Sequence, residues 1–153
     1  MKAARSPADT SAPFLDTNVL LYLLSSDAAK ADRAEALLRE GATVGVQVLN
    51  EFANVASRKL ALSWAEIADV LGLIRHQCDV QALTVAVHER ALALAQRHGF
   101  AWYDALIVAA ALDAGCARLY SEDMQHGMKV SKQLTIVNPF VAPARARKSR
   151  DAR

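Results

Sequence analysis

Apolar positions along the chain alternate between short uninterrupted runs and longer stretches with a helical period. One short run ends at Asp16, and others lie at residues 43–46, 79–83, 118–121 and 134–137. The longer stretches place apolar side chains three or four residues apart, which is typical of helices with one buried face. The pattern therefore predicts strands that alternate with helices.

The longer stretches predict six helices, and glycine residues mark where three of them end. The helices are expected at residues 18–25, 28–40, 47–59, 64–77, 84–97 and 103–114. Gly41, Gly99 and Gly115 follow the second, fifth and sixth helices, as helix C-caps commonly do. Ser63, with Glu66 three residues later, forms a capping box before the fourth. Alternating strands and helices predict an α/β fold with a mainly parallel sheet of short strands, covered by helices on both faces.

Length and composition favour one compact domain, which we place at residues 13–141. The chain has 153 residues, of which 53% are hydrophobic, and this suffices for one buried core. Cys78 and Cys116 have no metal-ligand spacing, and we expect both to be small buried residues in a reducing compartment. The longest apolar run, residues 105–112, is too short to span a membrane. We expect a soluble, cytoplasmic protein.

Charge is concentrated at one end of the chain. The formal net charge is +2, and the last ten residues carry five Lys or Arg side chains against one acid, Asp151. Residues 142–153 form a basic tail that either attracts nucleic-acid phosphates or is simply a disordered, solvated terminus. Residues 1–12 form a polar N-terminal extension without the apolar segment of a signal peptide.

Four acidic residues occupy positions where an apolar residue would be expected. Asp16 closes the first strand, and Asp123 follows the run at 118–121. Glu51 lies on the apolar stripe of its helix, and Asp104 lies in the first turn of another. Buried carboxylates are rare unless they are paired or bind a metal. Because the carboxyl ends of parallel strands share one edge, the pattern predicts a carboxylate cluster that holds a divalent cation.

Each acid also has a simpler explanation when it is taken alone. Asp16 could cap the helix that opens at Asn18, and Asp104 could cap its own helix or interact with the helix dipole. Glu51 lies in mid-helix on an apolar stripe and caps nothing. Four separate explanations would be needed to replace one metal site.

Four segments together resemble, in order and spacing, the motifs of PIN-domain ribonucleases. The segments are Asp16-Thr17-Asn18-Val19-Leu20, Asn50-Glu51-Phe52, residues 103–111 and residues 121–127. The likeness spans residues 14–140 and is greatest to VapC-type toxins of type II toxin-antitoxin systems in bacteria. It implies a PIN-like three-layer α/β/α sandwich. Two features depart from the pattern, because Asp16 lies further from the start than the first acid usually does and the basic tail belongs to no motif.

The resemblance also implies an activity, a cofactor and partners. Asp16, Glu51, Asp104 and Asp123 would be catalytic and would bind Mg²⁺ or Mn²⁺. The reaction would be endonucleolytic hydrolysis of RNA phosphodiester bonds by the toxin of a toxin-antitoxin pair. A cognate antitoxin protein would restrain the enzyme, and two copies would form a homodimer. An all-oxygen ligand set independently favours Mg²⁺ or Mn²⁺ over zinc.

The neighbours of the acids have more than one interpretation. Thr17, Asn18 and Ser121 could position water or substrate phosphate, or they could satisfy local backbone groups. Glu122 could replace Asp123 as a ligand, although adjacent side chains of an extended segment point opposite ways and only one should face the site.

Aromatic residues and one histidine near the motifs are also ambiguous. Trp102 and Tyr103 could stack an unpaired RNA base, although we expect at least one of them to pack in the core. Trp64 is expected to pack as well. His126 could act as a general base, but its neighbours indicate a loop.

Three rival functions are weaker. A phosphoacceptor receiver domain needs adjacent acids after its first strand, where this chain has Asp16-Thr17. A haloacid-dehalogenase-like phosphatase needs Asp-x-Asp, and position 18 is Asn. A PIN-like module that only binds RNA or protein is the third, and the presence of all four acids disfavours it.

Overall fold

Five short parallel strands form the sheet at the centre of this computed structural model, which describes residues 12–141. The strands are β1 (Phe14–Leu15), β2 (Ala42–Gly45), β3 (Cys78–Gln81), β4 (Arg118–Tyr120) and β5 (Thr135–Val137). Their order across the sheet is β3-β2-β1-β4-β5, and every neighbouring pair is parallel. Phe14 lies opposite Thr43 on one side and Leu119 on the other. The prediction of a parallel, short-stranded sheet is confirmed.

Within residues 12–141, six helices accompany the strands. They are α1 (Thr17–Leu21), α2 (Ala28–Glu40), α3 (Val46–Arg58), α4 (Trp64–Gln77), α5 (Val85–His98) and α6 (Trp102–Asp113). A 3₁₀ turn, Tyr22–Leu24, follows α1, so the helix predicted at 18–25 is divided in two. The other five helices begin and end within one residue of the predicted bounds. The capping box of Ser63 and Glu66 is present at the start of α4.

The connections place helices on both faces of the sheet. The chain moves from β1 through β2 to β3 in one direction and then crosses back past β1 to β4. Because crossovers between parallel strands are right-handed, this reversal moves the later helices to the opposite face. The packing agrees, since α1 to α4 contact one another and α5 contacts α6. The result is the three-layer α/β/α arrangement expected from the sequence.

The core is formed by the sheet and its most apolar helix. Phe14 and Leu15 of β1 are fully buried, and α6 is buried at every position from Ala105 to Leu112. A helix that is apolar on all sides must be enclosed by other elements, and α6 contacts β2 and β4. The end of β2 is also tightly packed, because a Cβ at Gly45 would lie 3.2 Å from the ring of Phe14. The ends of these buried elements are therefore held in fixed positions.

The carboxyl ends of β1 and β4 meet where the topology of the sheet reverses. These strands are neighbours, but the chain reaches their outer partners in opposite directions, which opens a crevice at their carboxyl ends. Asp16 follows β1 and Ser121 follows β4. The backbone N–H of Asp16 donates to the carbonyl of Tyr120 at 2.9 Å. The two strand ends are thus fixed side by side.

Other expectations concern the chain as a whole. Within residues 12–141, no helix is long and apolar enough to cross a membrane. Cys78 and Cys116 are both buried, as expected. The basic tail at 142–153 and all but the last residue of the polar extension lie outside the described residues. Those two segments and the domain boundaries stay predictions.

Candidate active site

Asp16 is the most enclosed of the four acids. It is only 4% exposed and lies between β1 and α1. Its Oδ1 accepts a hydrogen bond from the backbone N–H of Thr17 at 2.7 Å and so caps α1. The capping role considered from the sequence is therefore present, but it occupies only one of the two carboxylate oxygens. The other oxygen, Oδ2, is bound by side chains of the crevice.

Ser121 and Asn18 connect Asp16 to the segment after β4. The hydroxyl of the fully buried Ser121 donates to Oδ2 of Asp16 at 2.8 Å. The side-chain amide of Asn18 donates to the same oxygen at 3.1 Å and to Oδ2 of Asp123 at 3.0 Å. Both residues also accept hydrogen bonds from backbone N–H groups of the loop after β4. They hold the acids and satisfy local backbone groups at the same time.

Glu51 receives one donor on each carboxylate oxygen. The hydroxyl of Thr17 donates to Oε2 at 2.8 Å, and Nε2 of Gln47 donates to Oε1 at 2.7 Å. Glu51 is half-buried, so it borders the core and does not lie inside it. Hydrogen bonds to a carboxylate are stronger than those between neutral groups, and the pair holds Glu51 toward α1.

Asp104 extends from the first turn of α6 and is half-buried. Ala101, not Asp104, is the N-cap of this helix, so the capping explanation is wrong for Asp104. Its carboxylate makes no hydrogen bond within residues 12–141. Asp104 still interacts favourably with the dipole of α6. That interaction alone does not explain why its carboxylate lies near those of the other acids. Asp123, the fourth acid, lies exposed on the loop after β4.

The four carboxylates act on one another electrostatically. Burial raises the pKa of Asp16 to about 6, and repulsion from Asp104 and Glu51 adds to this increase. Hydrogen bonds to Asp16 lower its pKa, but burial outweighs them. Burial also raises the pKa of Asp104, and Asp123 and Glu51 contribute repulsion there. The fold has brought acids that are far apart in sequence into one region of negative potential.

The chemistry of this donor set fits a hard divalent cation. Carboxylate oxygens are the ligands that Mg²⁺ and Mn²⁺ prefer, and a cation relieves the repulsion that raises the two pKa values. Within residues 12–141, no group of three or more His, Cys, Asp or Glu side chains is already arranged as a metal site. The residues that could hold a cation are Asp16, Glu51, Asp104 and Asp123. Their carboxylates contribute to one region of negative potential, but they do not surround a single point as the ligands of a bound ion would.

Glu122 is engaged in a separate ionic contact. Nζ of Lys30, on α2, donates to Oε2 of Glu122 at 2.8 Å, and the hydroxyl of Tyr22 donates to Oε1. The hydrogen bond from Lys30 is the main cause that lowers the pKa of Glu122. Asn18 binds the adjacent Asp123 instead. Glu122 is therefore paired with Lys30, whereas Asp123 shares the donor Asn18 with Asp16.

The structure accounts for the nearby histidine and corrects the expectation for the aromatic residues. Nδ1 of His126 accepts a hydrogen bond from the backbone N–H of Asn138 at 2.9 Å, so His126 stabilises a loop. Trp64, Trp102 and Tyr103 are 68%, 37% and 65% exposed. The expectation that Trp64 and one of the other two pack in the core is wrong. All three lie at helix starts, where side chains lean past the first turn toward solvent.

Two partners of acidic residues were not found from the sequence. Gln47 binds Glu51, and Lys30 binds Glu122. A signal existed for Gln47, because it lies four residues before Glu51 and so shares its helix face. No local pattern indicates Lys30, since its partner lies 92 residues away.

Comparison with known proteins gives one family for most of the chain. The model of the PIN domain family matches residues 14–127, which include all four acids. A comparison with curated proteins finds no match.

Three solved structures share the fold. A toxin-antitoxin complex from Klebsiella pneumoniae has a TM-score of 0.65 at 18% identity, over 86% of this chain and 100% of its own. Mycobacterium tuberculosis VapC20, described as a sarcin-ricin loop cleaving toxin, has a TM-score of 0.60 at 21% identity, over 73% and 90%. FitAcB from Neisseria gonorrhoeae has a TM-score of 0.56 at 17% identity, over 84% and 99%. At these identities the likeness establishes the fold alone.

Proposed function

Because the chain belongs to the PIN domain family, we propose that it is a Mg²⁺- or Mn²⁺-dependent endoribonuclease and the toxin of a VapC-type toxin-antitoxin pair. The observation that carries the proposal is the field shared by Asp16, Glu51, Asp104 and Asp123 at the carboxyl edge of the sheet. Carboxylates that lie close together with no positive charge beside them lower the stability of the folded protein. A bound cation would supply that positive charge and would explain the arrangement of the four acids.

The acids and their donors have different tasks in this proposal. Asp16, Glu51, Asp104 and Asp123 would hold the cation, and when bound the cation supplies neutralisation of phosphate charge and activation of water. Thr17, Asn18 and Ser121 would act by orienting the carboxylates, since each of them donates a hydrogen bond to at least one acid. Preorganised ligands of this kind need no rearrangement during the reaction.

Asp104 and Asp16 would contribute to the cation site in different ways. The carboxylate of Asp104 makes no hydrogen bond within residues 12–141, so both of its oxygens are open to a cation. Asp16, by contrast, is held by three donors and would serve as a fixed ligand.

RNA is the substrate that the surroundings of Asp104 support. Tyr103 precedes it directly and is 65% exposed, so its ring is available to an unpaired base. Trp102 is 37% exposed and its ring packs edge-on against His88, so it offers less free surface. Stacking of a base on an aromatic side chain contributes about 1 to 3 kcal/mol. The basic residues of the tail at 142–153 would add attraction to phosphates that depends on salt concentration.

The proposed partners follow from the family and from the solved relatives. The Klebsiella structure is a toxin-antitoxin complex, and we propose a cognate antitoxin for this chain, which would place an Arg or Lys side chain among the acids. Exposed apolar side chains on α5, Val85 at 74% and Leu92 at 49%, support a homodimer. We propose a cytoplasmic location, since an RNA substrate and an antitoxin would both be found there.

Induced expression in a bacterial host tests this function. The wild type should arrest growth and generate new RNA 5′ ends, whereas Asp104→Asn should do neither. Asp32→Asn makes the same chemical change at an exposed position of α2 and should behave like the wild type. Purified wild type should cleave the mapped RNA when Mn²⁺ is added and stop when EDTA removes it.

The alternative function is a PIN-like module that binds RNA or protein without cleaving it. Soluble, folded wild type that causes no arrest, produces no new 5′ ends and shows no cleavage with Mn²⁺ would support that alternative. Arrest by the wild type and Asp104→Asn alike would also count against the nuclease, because a binding function does not need this carboxylate.

A further inference from the structure

Gln47 lies between Glu51 and the start of α6, the helix that carries Asp104. It is the second residue of α3, which begins directly after the end of β2. Four residues later on the same helix is Glu51, so the two side chains share one face. The backbone at this point is fixed, because β2 is hydrogen-bonded between β1 and β3.

The side-chain amide of Gln47 joins Glu51 to the helix that carries Asp104. Its Nε2 donates to Oε1 of Glu51 at 2.7 Å and to the backbone carbonyl of Tyr103 at 3.3 Å. Tyr103 immediately precedes Asp104 in the first turn of α6. One amide nitrogen therefore links one acid to the backbone that supports a second. Because both partners only accept hydrogen bonds, the nitrogen must be the atom that faces them.

The other end of the amide shows that this position is not optimised for stability. Oε1 of Gln47 is buried and accepts no hydrogen bond within residues 12–141. A buried acceptor without a donor is unfavourable. Methionine has a similar length and would fill the same space without that cost. The presence of an amide is thus explained by what its nitrogen binds.

We infer that Gln47 is a positioning residue that sets the separation of Glu51 and Asp104, and so tunes the affinity of the site for its divalent cation. This inference rests on the proposed function. Thr17 holds one oxygen of Glu51 from α1, and Gln47 holds the other. Loss of Gln47 frees the Glu51 carboxylate to rotate about its remaining contact and removes the link to α6. Partners that orient metal ligands in this way typically contribute 10- to 100-fold in metal affinity or activity.

Calorimetric titration of the EDTA-treated full chain with MnCl₂ tests the inference, with thermal unfolding measured on the same samples. Gln47→Met should raise the Kd for Mn²⁺ by about tenfold or more. The two hydrogen bonds that Nε2 loses are offset in part by removal of the unpaired acceptor Oε1, so the metal-free variant should still fold and its melting temperature should change little. Gln47→Asn keeps the amide but shortens the side chain by one methylene, so it should weaken Mn²⁺ binding as well. It also serves as the second variant if the first one does not fold.

A matched control is available at the end of β3. Nε2 of Gln81 donates to a carboxylate, Oδ2 of Asp113, at 2.6 Å, and neither residue belongs to the acidic site. Gln81→Met should therefore leave the Kd for Mn²⁺ unchanged. An equal loss of Mn²⁺ affinity in this control would mean that the effect is general to the fold and would overturn the inference.

An RNA-cleavage assay distinguishes the positioning role of Gln47 from the proposed nuclease function. In RNA cleavage, Gln47→Met should need about tenfold more Mn²⁺ for half-maximal rate and should recover at saturating Mn²⁺. Wild-type Mn²⁺ affinity in a folded Gln47 variant would refute the positioning role while the nuclease stands. Absence of Mn²⁺ binding and of cleavage in the wild type would overturn both.

Discussion

The buried carboxylate of Asp16 should make the stability of the metal-free protein fall as the pH rises. Its pKa is about 6 in the folded protein, against an ordinary value of 3.8. Between these two values the folded state binds more protons than the unfolded state, so the free energy of unfolding decreases with increasing pH. The decrease begins near pH 4 and is complete a little above pH 6. The perturbation is a change of pH in EDTA, with Asp16→Asn as the comparison.

The magnitude follows from the difference between the two pKa values. One pKa unit corresponds to about 1.4 kcal/mol, so a pKa of about 6 in place of 3.8 gives a loss of about 3 kcal/mol between pH 4 and pH 7. Typical domains have total stabilities of about 5 to 15 kcal/mol, so this loss is readily measurable. Mn²⁺ at about 100 times its Kd should restore about 2.7 kcal/mol at neutral pH.

Urea unfolding followed by circular dichroism at a series of pH values measures this effect. Tryptophan fluorescence is a weak probe here, because Trp64 and Trp102 are already exposed in the folded state. Asp16→Asn removes the titrating group but leaves groups such as Glu122, whose lowered pKa produces the opposite trend. The stability difference between variant and wild type should therefore shift by about 3 kcal/mol in favour of the variant from pH 4 to pH 7. A difference that stays constant over this range would refute the reasoning.

Three further predictions concern contacts around the acids. Asp104→Asn should leave metal-free stability equal or higher, since its carboxylate has no hydrogen bond to lose within residues 12–141 and repulsion falls. In calorimetry its Kd for Mn²⁺ should rise, and unchanged binding would exclude Asp104 from the site. Thr17→Val removes the hydroxyl that donates to Glu51, so the free energy of unfolding in urea should fall by about 1 kcal/mol. An unchanged free energy of unfolding would show that this hydrogen bond does not stabilise the protein. Lys30→Met should return the pKa of Glu122 toward its ordinary range in an NMR titration, because the hydrogen bond from Lys30 is the main cause that lowers it; a pKa that stays low would contradict the ion pair.

Local signals in the sequence were sufficient for the secondary structure and the class of fold. Helices and their ends depend on side chains within a few residues of one another, as at Gly41 after α2 and at the capping box of α4. The helix predicted at residues 103–114 corresponds to α6 for the same reason, but its burial on all sides is known only from the structure. The split of the first predicted helix at Tyr22 was missed, because α and 3₁₀ turns share nearly the same apolar spacing.

The sequence by itself also selected the four acids, because four separate local explanations would have been needed to replace one metal site and because the acids lie in motifs that resemble those of PIN-domain ribonucleases. Only the tertiary structure decided how they relate. Asp16 is buried, and Asp104 has no hydrogen-bond partner within residues 12–141. Asp123 is held by Asn18, while Glu122 pairs with Lys30. The last two contacts join residues that are 105 and 92 positions apart. The order of the strands in the sheet determines which of these distant residues lie side by side. The spacing of apolar residues within a single helix or strand cannot predict that order.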